Sequence, residues 1–232
     1  MRAGDGHGEA RGRLAVLDEL RTRRGAPTRA ALRHRAILLA LASGGGPAER
    51  TRTGVARRAA RGGTRWNSAY ASVVRSIDGV LIPLGLVEEA GRIPPQRGPG
   101  TLHENGIPYY HLTRAGALVA AAFAPDAGVA ALLAQALGAS GGEEARVGRA
   151  LGTLAGFAPG LAREVLEGHV REFCEGRERR LLPLTAEKLA AGAGDGARAS
   201  ARFLAGALEL GEEDRAHVGA LLGAVSGGGP AR

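Results

Sequence analysis

Cysteine is all but missing from this chain of 232 residues. Cys174 stands alone, which excludes an internal disulfide and any cysteine-based zinc site and makes a reducing cytoplasm the expected setting. Long apolar runs are missing too. The most apolar window, 115–139, is interrupted by Pro125-Asp126 and is built largely from alanine and glycine, too weakly hydrophobic for a bilayer. Residues 1–13 alternate glycine, arginine and acids around no apolar centre, so no signal peptide is read there and no membrane partner is expected. Aromatics make up 3% of the chain, and beyond residue 126 they and the β-branched residues become rare, leaving a pattern that reads as helices only. Of the 31 basic residues all but Lys188 are arginine. Base composition of the gene explains that bias at least as well as a need for bidentate phosphate contacts, so it carries little weight.

Catalytic signatures are also lacking. There is no phosphate loop, dinucleotide fingerprint, nucleophile elbow or cysteine pair with zinc spacing, so the chain is not expected to be an enzyme or to hold a cofactor. The best constellation is Glu164, Glu167, His169, Glu172 and Cys174 on one predicted helix. His169 and Glu172, three apart, could share a metal, or Cys174 could serve as a thiol switch. The plainer reading is a charged surface helix with a semi-buried cysteine.

What is present is an uneven charge and a recognisable order of elements. Residues 1–100 hold 18 arginines against 8 acids, a net of +10, whereas 101–232 hold 13 basic residues against 15 acids, a net of −2. The positive potential thus belongs to the first half. With 44% hydrophobic residues the chain can fill a real core, and its length favours two units. The centre of the first half is 64–84, where Tyr70, Val73, Val74, Ile77, Leu81 and Leu84 recur at steps of three and four and share one helical face. The opposite side carries Arg65, Asn67, Ser68, Ser72 and Arg75, groups that can reach base edges and phosphates. Upstream, 52–61 is a shorter helix closed by Arg61-Gly62-Gly63-Thr64, which supplies a turn and an N-cap. Downstream, 86–93 and 107–112 read as two strands joined by a loop rich in proline and glycine.

Around this centre the chain divides as follows. Residues 1–28 form a basic arm, disordered over 1–9 and helical over 12–24. Thr28 caps a helix over 29–42 whose Leu32, Ile37, Leu38 and Leu41 belong to the core, and 43–51 is a loose connection. Pro83 should kink or stop the long helix near 79–82. Thr113 caps a helix running to 124, which Pro125 closes. An all-α domain follows over 125–225, with helices near 127–138, 143–156, 160–175, 178–192, 196–210 and 213–224, and 226–232 is a frayed tail. Trp66 is expected to pack on the preceding helix. Of Tyr109 and Tyr110, one enters the core and the other reaches toward a phosphate.

The step Leu84-Gly85-Leu86-Val87-Glu88 and the later Tyr110-His111-Leu112-Thr113-Arg114-Ala115-Gly116 resemble the winged helix-turn-helix transcription regulators of bacteria and archaea, in particular the MarR, ArsR and PadR groups. The likeness covers about 29–124. It departs from the pattern at Pro83, at the long 43–51 loop and in the length of the wing. It implies a recognition helix in the major groove, with Arg65, Asn67, Ser68 and Arg75 in that role, and a wing on the DNA backbone or minor groove carrying Arg97 and His103.

Independently of the likeness, Arg52, Arg57, Arg58, Arg61 and Arg65 lie where a second helix and its turn would face phosphates. The expected fold is mainly α with a small β-hairpin, a winged helix-turn-helix followed by an all-α domain. The expected function is binding of double-stranded DNA as a transcription regulator. A homodimer doubles the contacted site, and the alanine- and leucine-rich helices leave room for a small apolar effector. The alternative is a winged interaction or architectural protein of replication or chromosome organisation.

Overall fold

The structure is a computed structural model that describes residues 14–17, 26–60, 66–94 and 106–225. The described chain divides into two compact units, Met1–Gly192 and Ala193–Arg232. It is mainly helical with one two-stranded antiparallel hairpin.

In the first unit α1 (Arg29–Ser43) begins where Thr28 accepts a hydrogen bond from the Ala31 N–H. Ile37, Leu38 and Leu41 are buried, but Leu32 is 54% exposed, contrary to its expected core position. The connection 43–51 is more ordered than its glycines suggest. Pro47–Arg50 form a 3-10 turn, and the Arg50 guanidinium donates from Nε and Nη2 to the Gly44 carbonyl at 3.0 and 2.8 Å. Thr51 then pairs with Tyr109 and caps α2 (Arg52–Ala59).

Helix α3 (Trp66–Ser76) runs into a π-helical turn at Ile77–Leu81, the distortion that Pro83 predicts. Pro83 has no N–H to give, and the neighbouring residues bond around it. Ile82 N–H reaches the Ile77 carbonyl at 2.9 Å and Leu86 N–H reaches Leu81 at 2.9 Å. Gly85, at φ +68, turns the chain into β1 (Val87–Ile93), which pairs with β2 (Ile107–Leu112) in the register Val87 to Leu112. The register shifts between Glu89 and Gly91.

Helix α4 (Arg114–Ala121) is the centre of the unit, with every residue from Gly116 to Ala121 buried. Its first turn is fixed at a junction with the segment that follows the π-turn. Thr113 donates through Oγ1 to the Gly85 carbonyl at 2.6 Å, accepts from Gly116 N–H, and gives its own N–H to Leu86. Gly116 lies so close that an added Cβ would overlap the Leu86 carbonyl oxygen. Helices α5 (Asp126–Leu137), α6 (Gly142–Phe157), α7 (Pro159–Cys174) and α8 (Ala186–Gly192) follow, with α1, α5 and α7 packed on α4.

Three further sequence expectations need correction. Leu38, Leu118, Leu133, Leu166 and Leu184 belong to one core, so the boundary expected at 124/125 falls instead at 192/193. The single helix expected over 178–192 exists only as α8, because Pro183 cannot donate within a helix and the backbone of 181–184 is satisfied by side chains. Residues 14–17, placed in a helical arm, are an irregular, buried stretch. Leu14, Val16 and Leu17 join the core, and the Val16 carbonyl accepts from Arg35 Nε at 2.5 Å. The remainder of the basic arm, apart from 26–28, and the tail 226–232 lie outside the described residues.

Glu144 ties α4, α6 and the 181–184 segment together. Its carboxylate accepts from Arg114 Nη2 at 2.7 Å and from Leu184 N–H at 3.0 Å, while Arg114 Nε donates to the Ala136 carbonyl. Burial pushes this carboxyl up, but the bonds from Arg114 and Leu184 outweigh that and hold it below the ordinary range. In α7, His169 is 1% exposed, gives Nε2 to the Leu181 carbonyl at 3.0 Å, and leaves Nδ1 without a partner.

The second unit holds α9 (Asp195–Glu209) and α10 (Glu212–Val225), with Arg215 donating to the Leu208 and Leu210 carbonyls at the turn between them. Phe203, Leu208 and Leu221 are exposed on this pair.

Two stability outcomes follow from these contacts. Glu144→Ala is expected to cost about 2–3 kcal/mol in urea unfolding, below the usual figure for a broken buried pair because solvent reaches Arg114. Burial holds the His169 imidazole below its ordinary value despite the Leu181 bond, so the unfolded chain takes up that proton first as pH falls. Stability should therefore be full above about pH 6.5 and fall below it by at most about 1.4 kcal/mol per pH unit from this group. His169→Phe should remove that slope, and an unchanged slope would contradict the assignment.

Candidate nucleic-acid interface

Helices α2 and α3 carry the candidate site, and their packing decides which polar groups are free. On α3 and the π-turn that follows it, Ala69, Val73, Ser76 and Ile77 face inward. Asn67, Ser68 and Arg75 are exposed, as the helical periodicity predicts, with Ala71 between them. Ser72 is half-buried and spends its hydroxyl proton on the Ala69 carbonyl at 2.8 Å. Arg75 has no hydrogen-bond or ion-pair partner among the described residues, so its full set of donors is available.

The arginines of α2 differ among themselves. Arg57 is exposed and lies over the Trp66 ring at 6.0 Å, and no carboxylate pairs with it among the described residues. Trp66 is 43% exposed and meets the preceding helix through this guanidinium, with Tyr70 at 6.0 Å behind it. Arg52 and Arg58 are engaged internally instead of facing outward as free cations. Arg52 bridges Asp78 at 2.8 Å and stands over Tyr110, locking α2 to the π-turn that follows α3 and to β2. Arg58 bridges Glu49 at 2.6 Å and donates to the Ser43 carbonyl and hydroxyl. Arg61, Arg65, Arg97 and His103, expected in the interface, lie outside the described residues.

The described part of the hairpin is close to neutral. Glu88 is 2.7 Å from His111 and Glu89 pairs with Arg92 at 2.8 Å. Tyr110 is the buried tyrosine, while Tyr109 is half-buried and covers Gly91 across the strands. The second candidate constellation disperses. His169 turns to the Leu181 carbonyl, Glu172 pairs with Arg177, Cys174 is buried, and no metal-holding group of three ligands forms among the described residues.

Sequence reading missed Arg29 and Arg33. Both belong to α1, which reads as a plain core helix, yet they line the same groove as Ser68, Ser72 and Arg75. The overlooked signal is their spacing: 29 and 33 are four apart, one helical turn, and with the exposed Leu32 they border the face of α1 that buries 37, 38 and 41.

No protein-family model, no curated protein and no solved structure matches this chain.

The division of labour within α2 is measurable. Arg52→Ala is expected to destabilise the fold by about 1–2 kcal/mol through loss of the Asp78 and Tyr110 contacts. Arg57→Ala should stay within about 0.5 kcal/mol of the parent. Equal losses in denaturant unfolding would contradict this reading.

Proposed function

We propose that the chain binds double-stranded DNA, most simply as a transcription regulator, through the exposed side of α3 and the neighbouring end of α2. The observation that carries this reading is the free set Arg57, Asn67, Ser68 and Arg75. These two guanidiniums, without acidic partners among the described residues, and two short polar groups sit on α2 and on the first and last turns of α3, whose other side is packed. Guanidiniums supply affinity through phosphates, whereas an Asn beside them can pair with adenine through two hydrogen bonds. The likeness of 29–124 to winged helix-turn-helix regulators supports the same assignment, and the excess of arginine in the first hundred residues adds long-range attraction.

One such helix contacts too few bases for useful selectivity, so the reading includes a homodimer. The second unit supports it: about forty residues rarely stand alone as a folded domain, and this pair of helices exposes Phe203, Leu208 and Leu221.

Fluorescence anisotropy with labelled random duplexes, read at several salt concentrations, tests the proposal, with sedimentation of the same samples reporting the dimer. Binding should weaken with a log–log salt slope near about −5 if about six phosphates are neutralised. Arg57→Ala and Arg75→Ala should each weaken every duplex and reduce the slope by about 1, whereas Asn67→Ala should cost about 1–3 kcal/mol on a selected sequence only. Absence of binding at low salt, or variants indistinguishable from the parent, would contradict the reading.

A further inference from the structure

Between α1 and α3 runs a half-open groove of about 860 Å3, within the range of small-molecule sites. Its composition is unusual in two respects. Arg29, Arg33, Arg35 and Arg75 line it, and no acidic side chain does so among the described residues. Arg35 is engaged by the Val16 carbonyl and by Phe123, whose ring lies 5.8 Å from its guanidinium. Arg33 gives Nε to Ser76 at 2.8 Å and keeps its terminal nitrogens uncommitted, while Arg29 and Arg75 have no hydrogen-bond or ion-pair partner among the described residues. Like charges gathered along one cleft repel one another unless an anion enters between them.

Apart from Ser68 and Ser72, the rest of the lining is apolar. Leu32, Ala36, Leu39, Val73 and Phe123 contribute carbon surface, and Leu32 leaves about half of its side chain in water. An inorganic ion would satisfy the guanidiniums and leave this surface wet. A neutral hydrocarbon would do the reverse. The ligand that meets both requirements carries a negative head and an apolar body.

We propose that the groove between α1 and α3 binds a free amphiphilic organic anion, a carboxylate or phosphate ester on an alkyl or fused-ring body, with Arg29, Arg33 and Arg75 holding the head and Leu32, Leu39 and Phe123 the body. This site lies between α1 and α3, with Phe123 at its wall, not among the alanine- and leucine-rich helices where an effector was expected. It shares Arg75 with the proposed duplex-binding set and otherwise rests on the groove's own lining.

Calorimetric titration of the full chain with monomeric decanoate tests it, with acetate and decyltrimethylammonium as probes of head and tail alone. Decanoate should bind, and acetate should bind on the order of a hundredfold more weakly because it covers none of the apolar surface. Decyltrimethylammonium should not bind. Arg29→Ala with Arg75→Ala, and separately Leu32→Asn, should each weaken decanoate on the order of tenfold or more. These side chains are exposed, and an unchanged melting temperature of the ligand-free variants would show that folding is intact. No decanoate binding, equal binding of acetate, or decanoate binding untouched by the variants would overturn the proposal. So would capture by anionic phosphatidylglycerol vesicles without any binding of free decanoate, since the groove would then serve a membrane surface. Loss of duplex binding alone would leave the proposal standing.

Discussion

The fold of the first unit depends on the junction where Thr113 and Gly116 meet Gly85 and Leu86. Thr113 closes three hydrogen bonds there, one inside α4 and two to the backbone just after the π-turn, and Gly116 lets the helix approach the Leu86 carbonyl with no side chain between. Two segments almost thirty residues apart are thereby held in one place, which fixes the exit from α3, the base of the hairpin and the entry of the central helix. The orientation of α3, and with it the direction in which Asn67, Ser68 and Arg75 point, follows from this constraint.

The same junction explains why two short motifs were readable in the sequence. The Leu-Gly-Leu-Val-acid step and the Leu-Thr-x-x-Gly exit are two halves of a single contact, so their joint appearance reports packing. They carry information about architecture and none about bases. Strand boundaries, the caps at Thr28 and Thr113 and the disturbance near Pro83 were legible because each depends on a local property: alternation, a side-chain oxygen, or a missing N–H.

What was not legible depends on distant partners. Nothing near Arg52 in the chain announces Asp78 or Tyr110, and Arg58 looks as free as Arg57 until the 3-10 turn brings Glu49 beside it. The irregular 181–184 segment is held by Glu144 and His169 from other helices, so a local helical pattern was overruled by long-range hydrogen bonds. Leu32 was misread for the complementary reason. Its spacing suits a core face, but it is half exposed because among the described residues no element packs over it. The continuity of α4 with α5 and α7 was hidden as well, because a proline between helices reads the same at a domain boundary as inside a packed bundle.

The central claim is that α3 and the adjoining end of α2 meet duplex DNA. Hydrogen exchange measured with and without a saturating random duplex addresses it most directly. The account requires slowed exchange or ligand-dependent change at Arg52–Ala59 and Trp66–Ser76, with α6 and α7 unaffected. Protection confined to α6, α7 or the second unit, with these two helices unchanged, would contradict it.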